Sequence, residues 1–212
     1  MMSSEDILAE IASEVSVCEK CRLCKARKRA VPGEGNLHPR IMFIGEGPGR
    51  NEDEQGRPFV GPAGHLLEEA LASIGLKRAD VFITNVVKCR PPENRDPNPD
   101  EIAACNDYLE RQIEALDPRV IVTLGRFSMA KFFPGQKIST IHGRAKPGRK
   151  RLYIAMYHPA AALRSAQTMA EFRTDFAKIP LIIAEAERRT AAGTLTTPTT
   201  PKEEPPQQLS LF

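Results

Sequence analysis

The sequence predicts a three-layer α/β fold in which helices cover both faces of a parallel sheet. Four short segments are rich in Ile, Val, Phe or Tyr and largely apolar on both faces, as buried parallel strands are. Helical patterns separate these segments, and this alternation is typical of βαβ units with right-handed crossovers. The chain has 212 residues, of which 41% are hydrophobic and 27% charged, which is enough for one domain with a substantial core.

The predicted strands are residues 40–44, 81–87, 119–124 and 152–157. After the first strand, residues 63–74 place apolar side chains on one helical stripe, and Gly75 suits the end of a helix. Residues 99–116 begin with a proline and two acidic residues and continue with apolar residues at helical spacing. Residues 168–188 predict a final helix, which Pro180 should kink or break.

Three groups of residues lie at the ends of predicted strands: the glycine-rich loop 45–49, Asn85 and His158. In parallel sheets, ligands bind beyond the carboxyl ends of the strands. We therefore expect these residues, which are far apart in the sequence, to converge on one pocket.

The composition changes near residue 190, where Thr, Pro and Gln replace the apolar residues that a core needs. We therefore predict a folded domain over residues 1–189 and a disordered tail over residues 190–212. The first sixteen residues are acidic and lack a long apolar run, and no stretch approaches the roughly 20 apolar residues that span a bilayer. We expect a cytoplasmic monomer that does not associate with membranes and lies near the nucleoid.

Basic residues are clustered although the net charge is only +3. Residues 18–30 carry six Lys or Arg against Glu19 alone, and residues 137–151 carry six with no acidic residue. One such run alone would favour a solvated surface. Two runs, each beside a candidate site, favour binding of a polyanion such as nucleic acid.

Four of the five cysteines form a pattern that is typical of a metal site: Cys18, Cys21, Cys89 and Cys105. Four thiolates suit either zinc or an iron–sulfur cluster, and the residues alone leave both open. The fifth, Cys24, could replace a ligand or be spare. Buried free cysteines are the alternative, but the Lys- and Arg-rich surroundings of the first three argue against a core. A structural metal would tie the basic segment to loop 90–99.

The motifs, taken in order, resemble family 4 of the uracil-DNA glycosylases, the iron–sulfur branch, over residues 17–179. They are Cys18-x2-Cys21, Gly45-Glu46-Gly47-Pro48-Gly49, residues 56–64, residues 84–92, Cys105 and residues 158–164. The resemblance implies a [4Fe-4S] cluster held by the four cysteines, an α/β/α sandwich with a four-stranded parallel sheet, and excision of uracil from DNA in base excision repair.

The resemblance also implies roles for the pocket residues. Phe59 corresponds to the residue that stacks on the flipped uracil, and a core Phe is the alternative. Asn85 corresponds to the residue that reads the uracil edge, because its amide can donate to a carbonyl and accept from the ring N–H. His158 corresponds to the hydrogen-bond donor that stabilises the departing base.

Two carboxylates complete the predicted pocket. Glu46 is expected to position water or balance the cationic sugar, while Gly45 and Gly47 let the backbone approach the substrate. Glu52 is expected to wall the pocket near uracil C5 and so help exclude thymine. A solvated loop acid is the alternative for Glu52.

DNA contacts are expected around the pocket. Leu163 could wedge into the vacated base stack, and Arg164 and Arg144 could bind phosphates. His142 precedes Gly143-Arg144, where family members usually carry Arg-Gly. A related branch captures its abasic product covalently through a His in a basic insertion after the Asn strand. This chain lacks that insertion, and capture by His142 is a further hypothesis.

The chain ends in an apolar peptide that resembles a bacterial sliding-clamp-binding motif. Its residues are Gln208, Leu209, Leu211 and Phe212. The tail would then raise the enzyme's concentration near replicated DNA. Besides a monofunctional uracil-DNA glycosylase that acts on uracil-containing DNA, a non-catalytic iron–sulfur DNA-binding or redox-sensing module stays open as an alternative function.

Overall fold

The structure, a computed structural model, describes residues 2–193. Its centre is one mixed sheet with the strand order β1-β3-β2-β4-β6-β5. The strands are β1 (Glu34–Gly35), β2 (Ile41–Gly45), β3 (Phe82–Asn85), β4 (Val120–Leu124), β5 (Ala145–Pro147) and β6 (Leu152–Met156). The four inner strands are parallel, which confirms the predicted α/β fold.

The predicted four-stranded parallel sheet is the centre of a six-stranded sheet, because a short antiparallel strand that was not predicted lies at each edge. Strand β1 pairs with β3, and β5 pairs with β6. The edge strands are two and three residues long and largely exposed, so they leave no apolar run in the sequence. The second predicted strand was also too long, since β3 ends at Asn85.

Helices cover both faces of the sheet. They are α1 (Ser4–Val17), α2 (Arg50–Gln55), α3 (Pro62–Ser73), α4 (Pro99–Leu116), α5 (Arg126–Phe132), α6 (Ile138–Ile141), α7 (Pro159–Ala162), α8 (Ala166–Phe176) and α9 (Ile179–Ala191). Short 3-10 turns lie at Arg22–Lys25, Arg78–Asp80 and Pro92–Asn94. Helix α4 has the predicted bounds, and α3 is shifted by one residue. No helix over residues 2–193 is long and apolar enough to cross a membrane.

The predicted final helix is two helices. Helix α8 ends at Phe176, and Pro180 lies in the first turn of α9. A proline is tolerated there because the first turn has no intrahelical partner for its missing N–H. Helix α9 continues to Ala191, so it crosses the predicted boundary at residue 189. The predicted tail beyond residue 193 lies outside the described residues.

Helix α1 was not predicted, although a capping signal precedes it. The Ser3 hydroxyl accepts from the backbone N–H of Asp6, and the Asp6 carboxylate accepts from the backbone N–H of Ser3. The helix buries Ile11 and Val15 in the cluster that also contains Cys89 and Cys105. Because α1 ends immediately before Cys18, it fixes where the cysteine segment begins.

Alternating residues of the inner strands enter two separate apolar clusters. Phe43 and Ile83 pack on one face against α3, α8 and α9, whereas Met42 and Ile44 pack on the other against α4. Strand β2 is buried along its whole length. This double burial is why the strand segments are apolar on both faces.

Candidate active site and cysteine cavity

The carboxyl ends of the inner strands bring the predicted pocket residues together. Gly45 and Asn85 are register partners where β2 and β3 end. His158 follows β6, and Gly125, the residue after β4, packs against it. A Cβ built on Gly125 would lie 3.2 Å from His158 Cβ. The expected convergence is therefore a feature of the fold.

Gly45 lies where the side chains of Asn85 and Phe59 meet. A Cβ at this position would lie 2.4 Å from Asn85 Oδ1 and 2.6 Å from Phe59 Cζ. Both distances are too short for real contacts, so the site requires glycine here for the two side chains to approach one another. Gly47, by contrast, lies against Val87. A Cβ built on Gly47 would lie 2.8 Å from Val87 Cγ2.

Asn85 presents a buried oxygen that has no partner. The residue is 1% exposed, and its Oδ1 is the single buried side-chain oxygen or nitrogen over residues 2–193 that lacks a hydrogen bond. Buried polar atoms nearly always have a partner, and leaving one unpaired costs about 1–3 kcal/mol. An unpaired acceptor beside Gly45 therefore indicates a binding group.

Phe59 is both a core residue and a pocket residue. It is 5% exposed and belongs to the larger apolar cluster, while its ring stacks on the His158 ring with centroids 5.6 Å apart. Its backbone φ is +52°, which is rare for an aromatic residue. The fold thus holds this ring at the pocket by an unusual turn.

His158 is a neutral imidazole, and its Nε2 has no hydrogen-bond partner in the described part of the chain. Burial lowers its pKa to about 4. Glu52 opposes this shift by raising the pKa, and Arg164 adds to it by lowering the pKa. Its Nδ1 accepts a hydrogen bond of 3.1 Å from the backbone N–H of Ala160, in the first turn of α7. In the neutral ring the proton must therefore be on Nε2, which leaves a donor for a ligand.

Glu46 follows β2 and has a raised pKa. Burial raises the pKa of this carboxyl to about 7, with a further increase from Asp96 and an opposing effect of Arg126. Arg126 and Asp96 are themselves an ion pair. At neutral pH the group can therefore take or release a proton, as a general base does.

Glu52 connects two loops of the pocket. Its Oε1 accepts from the backbone N–H groups of Val60 and Gly61 at 2.9 and 2.8 Å, and its Oε2 accepts from Gly49 at 3.1 Å. The residue is 9% exposed, so it is not a solvated loop acid. Its predicted role in excluding thymine stays a prediction.

The residues predicted to contact DNA lie on the surface. Leu163, at the end of α7, is 49% exposed. Arg164 and Arg144 are also exposed. Their functional roles stay predictions.

His142 has defined partners that the sequence did not indicate. Its Nδ1 lies 2.6 Å from Asp175 Oδ2, and its ring centroid lies 4.7 Å from that of Tyr157. Asp175 is buried and also accepts from Lys178 Nζ at 2.7 Å. Product capture through His142 stays a prediction.

All five cysteines line one cavity between α1, α4 and the segment after β3. Cys89 and Cys105 are buried, and the other three, Cys18, Cys21 and Cys24, are partly exposed. No three Cys, His, Asp or Glu side chains in residues 2–193 converge closely enough to hold a single metal ion. An iron–sulfur cluster is larger than a single ion, so four thiolates that hold one would lie farther apart than the ligands of one metal ion.

Hydrogen-bond donors already point at the sulfur atoms. Arg27 Nη1 donates to Cys89 Sγ at 3.2 Å, the backbone N–H of Lys88 to Cys105 Sγ at 3.4 Å, and the backbone N–H of Lys20 to Cys18 Sγ at 3.5 Å. Such donors stabilise thiolate charge around a metal centre. The donor set of this cavity therefore fits a four-thiolate cluster.

Several residues that shape the site carried no sequence signal. Arg78 contacts the backbone around Phe59, and Asp96 and Arg126 flank Glu46. Asp53 is buried and accepts from the backbone N–H of Lys28 at 2.8 Å. Charged residues are common in loops, so only the spatial arrangement distinguishes these four from their neighbours.

Comparison with protein families and with curated proteins gives a consistent result. Residues 32–179 match the family described as the Uracil DNA glycosylase superfamily. A type-4 uracil-DNA glycosylase of Archaeoglobus fulgidus is 51% identical over 188 residues, which cover 84% of this chain and 92% of that protein.

Further relatives extend the similarity from archaea to bacteria. A type-4 uracil-DNA glycosylase of Saccharolobus solfataricus is 51% identical over 184 residues, covering 82% of this chain and 85% of that protein. One from Thermotoga maritima is 47% identical over 169 residues, covering 78% and 88%.

Proposed function

The chain belongs to the uracil DNA glycosylase superfamily, and on that premise we propose how its site removes uracil from DNA. It is a DNA-repair enzyme that hydrolyses the bond between uracil and deoxyribose, as its likeness to the type-4 glycosylases indicates. The observation that carries the proposed site is the unpaired, buried Oδ1 of Asn85 beside Gly45 and Phe59.

Recognition begins when the uracil nucleotide leaves the base stack, at a cost of a few kcal/mol. In our proposal the base enters the space bounded by Gly45, Asn85 and Phe59. Asn85 Oδ1 accepts the uracil N3–H, and its amide NH₂ donates to a uracil carbonyl. Phe59 supplies the aromatic surface on which the base stacks.

Bond cleavage separates the base N1 from the sugar C1′, and the bonding electrons leave with the base. The base becomes anionic and the sugar becomes oxocarbenium-like. His158 has its Nε2–H available because Nδ1 is occupied by Ala160, so it donates to the developing oxyanion of the base. A neutral donor suffices, since the effect requires only a fixed dipole.

Water completes the reaction at C1′. Glu46 as a carboxylate balances the cationic sugar, and it accepts the proton that the attacking water loses. The hydroxyl group then remains on C1′, and the proton passes from Glu46 through solvent to the uracil anion, so the products are free uracil and an abasic site. No covalent intermediate forms in this scheme, which makes the enzyme monofunctional.

We further propose that Glu52 helps to exclude thymine by closing the pocket near uracil C5. Its carboxylate holds the N–H groups of Gly49, Val60 and Gly61, so it fixes the two loops that form the wall. The test is activity of Glu52→Ala on T:G mismatches. Absence of any gain in a variant that retains uracil excision would contradict this role.

The cysteine cavity is proposed to hold a [4Fe-4S] cluster through Cys18, Cys21, Cys89 and Cys105. The cluster would supply covalent cross-links between segments that are distant in the sequence. Cys89 and Cys105 bracket loop 90–98, which brings Asp96 near Glu46. The proposed role is therefore to hold this loop beside the pocket.

DNA is proposed to lie across the surface that carries Arg144, Leu163 and Arg164. Leu163 would enter the space that the flipped base leaves, and the arginines would bind phosphates. We also propose that a sliding clamp binds residues 208–212. These residues lie outside the described part of the chain. Loss of clamp pull-down after their deletion is the expected result.

A cleavage assay tests the function. The full-length protein is incubated with a labelled oligonucleotide that carries one uracil, treated with alkali and run on a denaturing gel beside a thymine control. Scission at uracil that depends on alkali, and its loss in Asn85→Ala and His158→Ala, are the expected results. Absence of scission by protein with its iron in place would favour the non-catalytic alternative.

A further inference from the structure

Phe59 holds a backbone conformation that its own side chain disfavours. Its φ is +52°, in the region where the Cβ of a non-glycine residue crowds the following carbonyl. Such a conformation persists only when the surroundings impose it. The loop around Phe59 must therefore have strong external contacts.

Arg78 provides these contacts on the carbonyl side of the loop. Its Nη1 donates to the Phe59 carbonyl oxygen at 2.9 Å, and its Nη2 donates to that of Pro58. One planar guanidinium thus holds two consecutive carbonyls with donors in a fixed planar arrangement, which the single ammonium of a lysine does not offer. The Arg78 side chain is 15% exposed, so solvent competes weakly for these bonds.

Arg78 is itself held by an acidic residue of the edge strand β1. Its Nε donates to Glu34 Oε1 at 2.6 Å. Arg57 binds the same carboxylate, with Nε 2.7 Å from Oε2 and Nη2 2.9 Å from Oε1. Glu68 is a weaker partner at 3.2 Å from Arg78 Nη1.

Contacts on the other side of the loop complete the restraint. Glu52 accepts from the N–H groups of Val60 and Gly61, immediately after Phe59. Gly64 packs so tightly that a Cβ there would lie 1.9 Å from the Phe59 carbonyl oxygen. The backbone of residues 58–61 is therefore held at its carbonyls by Arg78 and at its amides by Glu52.

We propose that Arg78 is a positioning residue for uracil excision: its bonds to the carbonyls of Pro58 and Phe59 keep the Phe59 ring placed for the flipped base. The inference rests on the proposed role of Phe59. It assigns a function to a residue that follows α3 and touches neither the base nor the sugar. Because catalysis requires a fixed geometry, a shift of the ring near 1 Å would be costly.

The test compares Arg78→Met with Arg78→Lys and with Arg57→Met as the matched control. Arg57 shares the Glu34 carboxylate but touches neither carbonyl. The measurements are single-turnover excision rates, inhibition by free uracil and the thermal midpoint. For Arg78→Met we expect a rate about 10- to 100-fold lower and uracil inhibition weakened by a similar factor. Arg78→Lys should be intermediate, and Arg57→Met should stay within about twofold.

Two results would overturn the inference in folded variants. One is a rate for Arg78→Met within twofold of wild type. The other is a slower rate with unchanged inhibition by free uracil, because the base platform would then be intact. Absence of excision by the wild-type protein would instead refute the proposed function, so the two failures are distinguishable.

A double-mutant cycle decides the matter if Arg78→Met does not fold. Arg78→Lys is measured in wild-type and Phe59→Ala backgrounds. If Arg78 acts through the Phe59 ring, its substitution should have little further effect once the ring is absent. An equal loss of rate in both backgrounds would overturn the inference.

Discussion

The imidazole of His158 accepts a hydrogen bond at Nδ1 from the backbone N–H of Ala160, two residues further along the chain. The contact belongs to the start of α7, where an orphan N–H of the first helical turn needs an acceptor. The same bond therefore caps the helix and fixes the tautomer of the ring. Structure and proposed chemistry depend on one interaction, and protonation of Nδ1 would break it.

Acidification is therefore expected to destabilise the protein through His158. The unfolded imidazole binds a proton below its ordinary pKa near 6.5, whereas burial keeps the folded ring neutral down to about 4. The unfolded state binds more protons between these values, so stability present above pH 6.5 is lost as the pH falls toward 4. Thermal midpoints of wild type and His158→Gln across this range measure the effect.

The difference between the two proteins isolates this contribution, since other groups titrate in both. We expect the wild type to lose more stability on acidification than His158→Gln. Parallel curves would show that the folded imidazole titrates normally.

Activity is expected to rise with pH through the titration of Glu46. Burial and the neighbouring Asp96 raise its pKa to about 7, so the reactive carboxylate predominates only above that value. The profile of kcat/KM should therefore show a limb near pH 7, and Glu46→Gln should lack it. Asp96→Asn removes a charge that raises this pKa, so the limb should shift to lower pH. If the limb stays at the same pH in Asp96→Asn, the charge of Asp96 does not contribute to the raised pKa of Glu46.

The parallel inner strands could be predicted from the sequence, because strands that are buried on both faces appear as continuous apolar runs. Strand β2 is fully buried, and its uninterrupted apolar run marks it. The edge strands β1 and β5 were not accessible, since two or three exposed residues that pair only in space leave no periodicity. A kink or a break was predicted at Pro180. The helix is broken just before it, at residues 177–178, and both helices pack on the sheet.

Site residues could be predicted where the ends of strands bring motifs together, as for Gly45 and Asn85. The supporting residues were not. Arg78 and Asp96 act on segments that are distant from them in the sequence, and no spacing rule predicts such pairs. Tertiary packing therefore sets the positions of these supporting residues, and local sequence patterns do not predict them.

A methyl group at residue 45 is expected to abolish base binding. In Gly45→Ala the new Cβ would lie 2.4 Å from Asn85 Oδ1 and 2.6 Å from Phe59 Cζ, so one side chain must move. We expect a rate at least about 100-fold lower, in line with the cost of misplacing binding groups. Single-turnover kinetics check this, and circular dichroism confirms that the variant folds. A rate within tenfold of wild type would show that the base lies elsewhere.

Cysteine substitutions should divide the five thiols into two classes. Cys89→Ser is expected to lose iron and the absorbance near 400 nm, because a buried thiolate of the proposed cluster is removed. Cys24→Ser is the matched control, since Cys24 lines the same cavity but is not among the four proposed ligands. Iron analysis and absorbance distinguish them. Equal loss of iron in Cys24→Ser would make Cys24 a ligand.

Asn85 is expected to separate activity from stability. Its buried Oδ1 has no hydrogen-bond partner within residues 2–193, so the folded state bears an unsatisfied acceptor. Asn85→Leu replaces the amide with an apolar group of similar size. Because the substitution removes the unpaired oxygen, we expect the thermal midpoint to stay unchanged or to rise. The gain in the free energy of unfolding should be about 1 kcal/mol at most.

Excision by Asn85→Leu should nevertheless fall by at least about 100-fold, because the base loses its edge contacts and meets a methyl group where an acceptor stood. The pair of measurements is thermal unfolding and single-turnover excision on the same preparation. A midpoint several degrees lower would mean that Oδ1 has a partner in the free enzyme. Stability would then depend on the same atom as recognition, and the unpaired acceptor could no longer be assigned to the base.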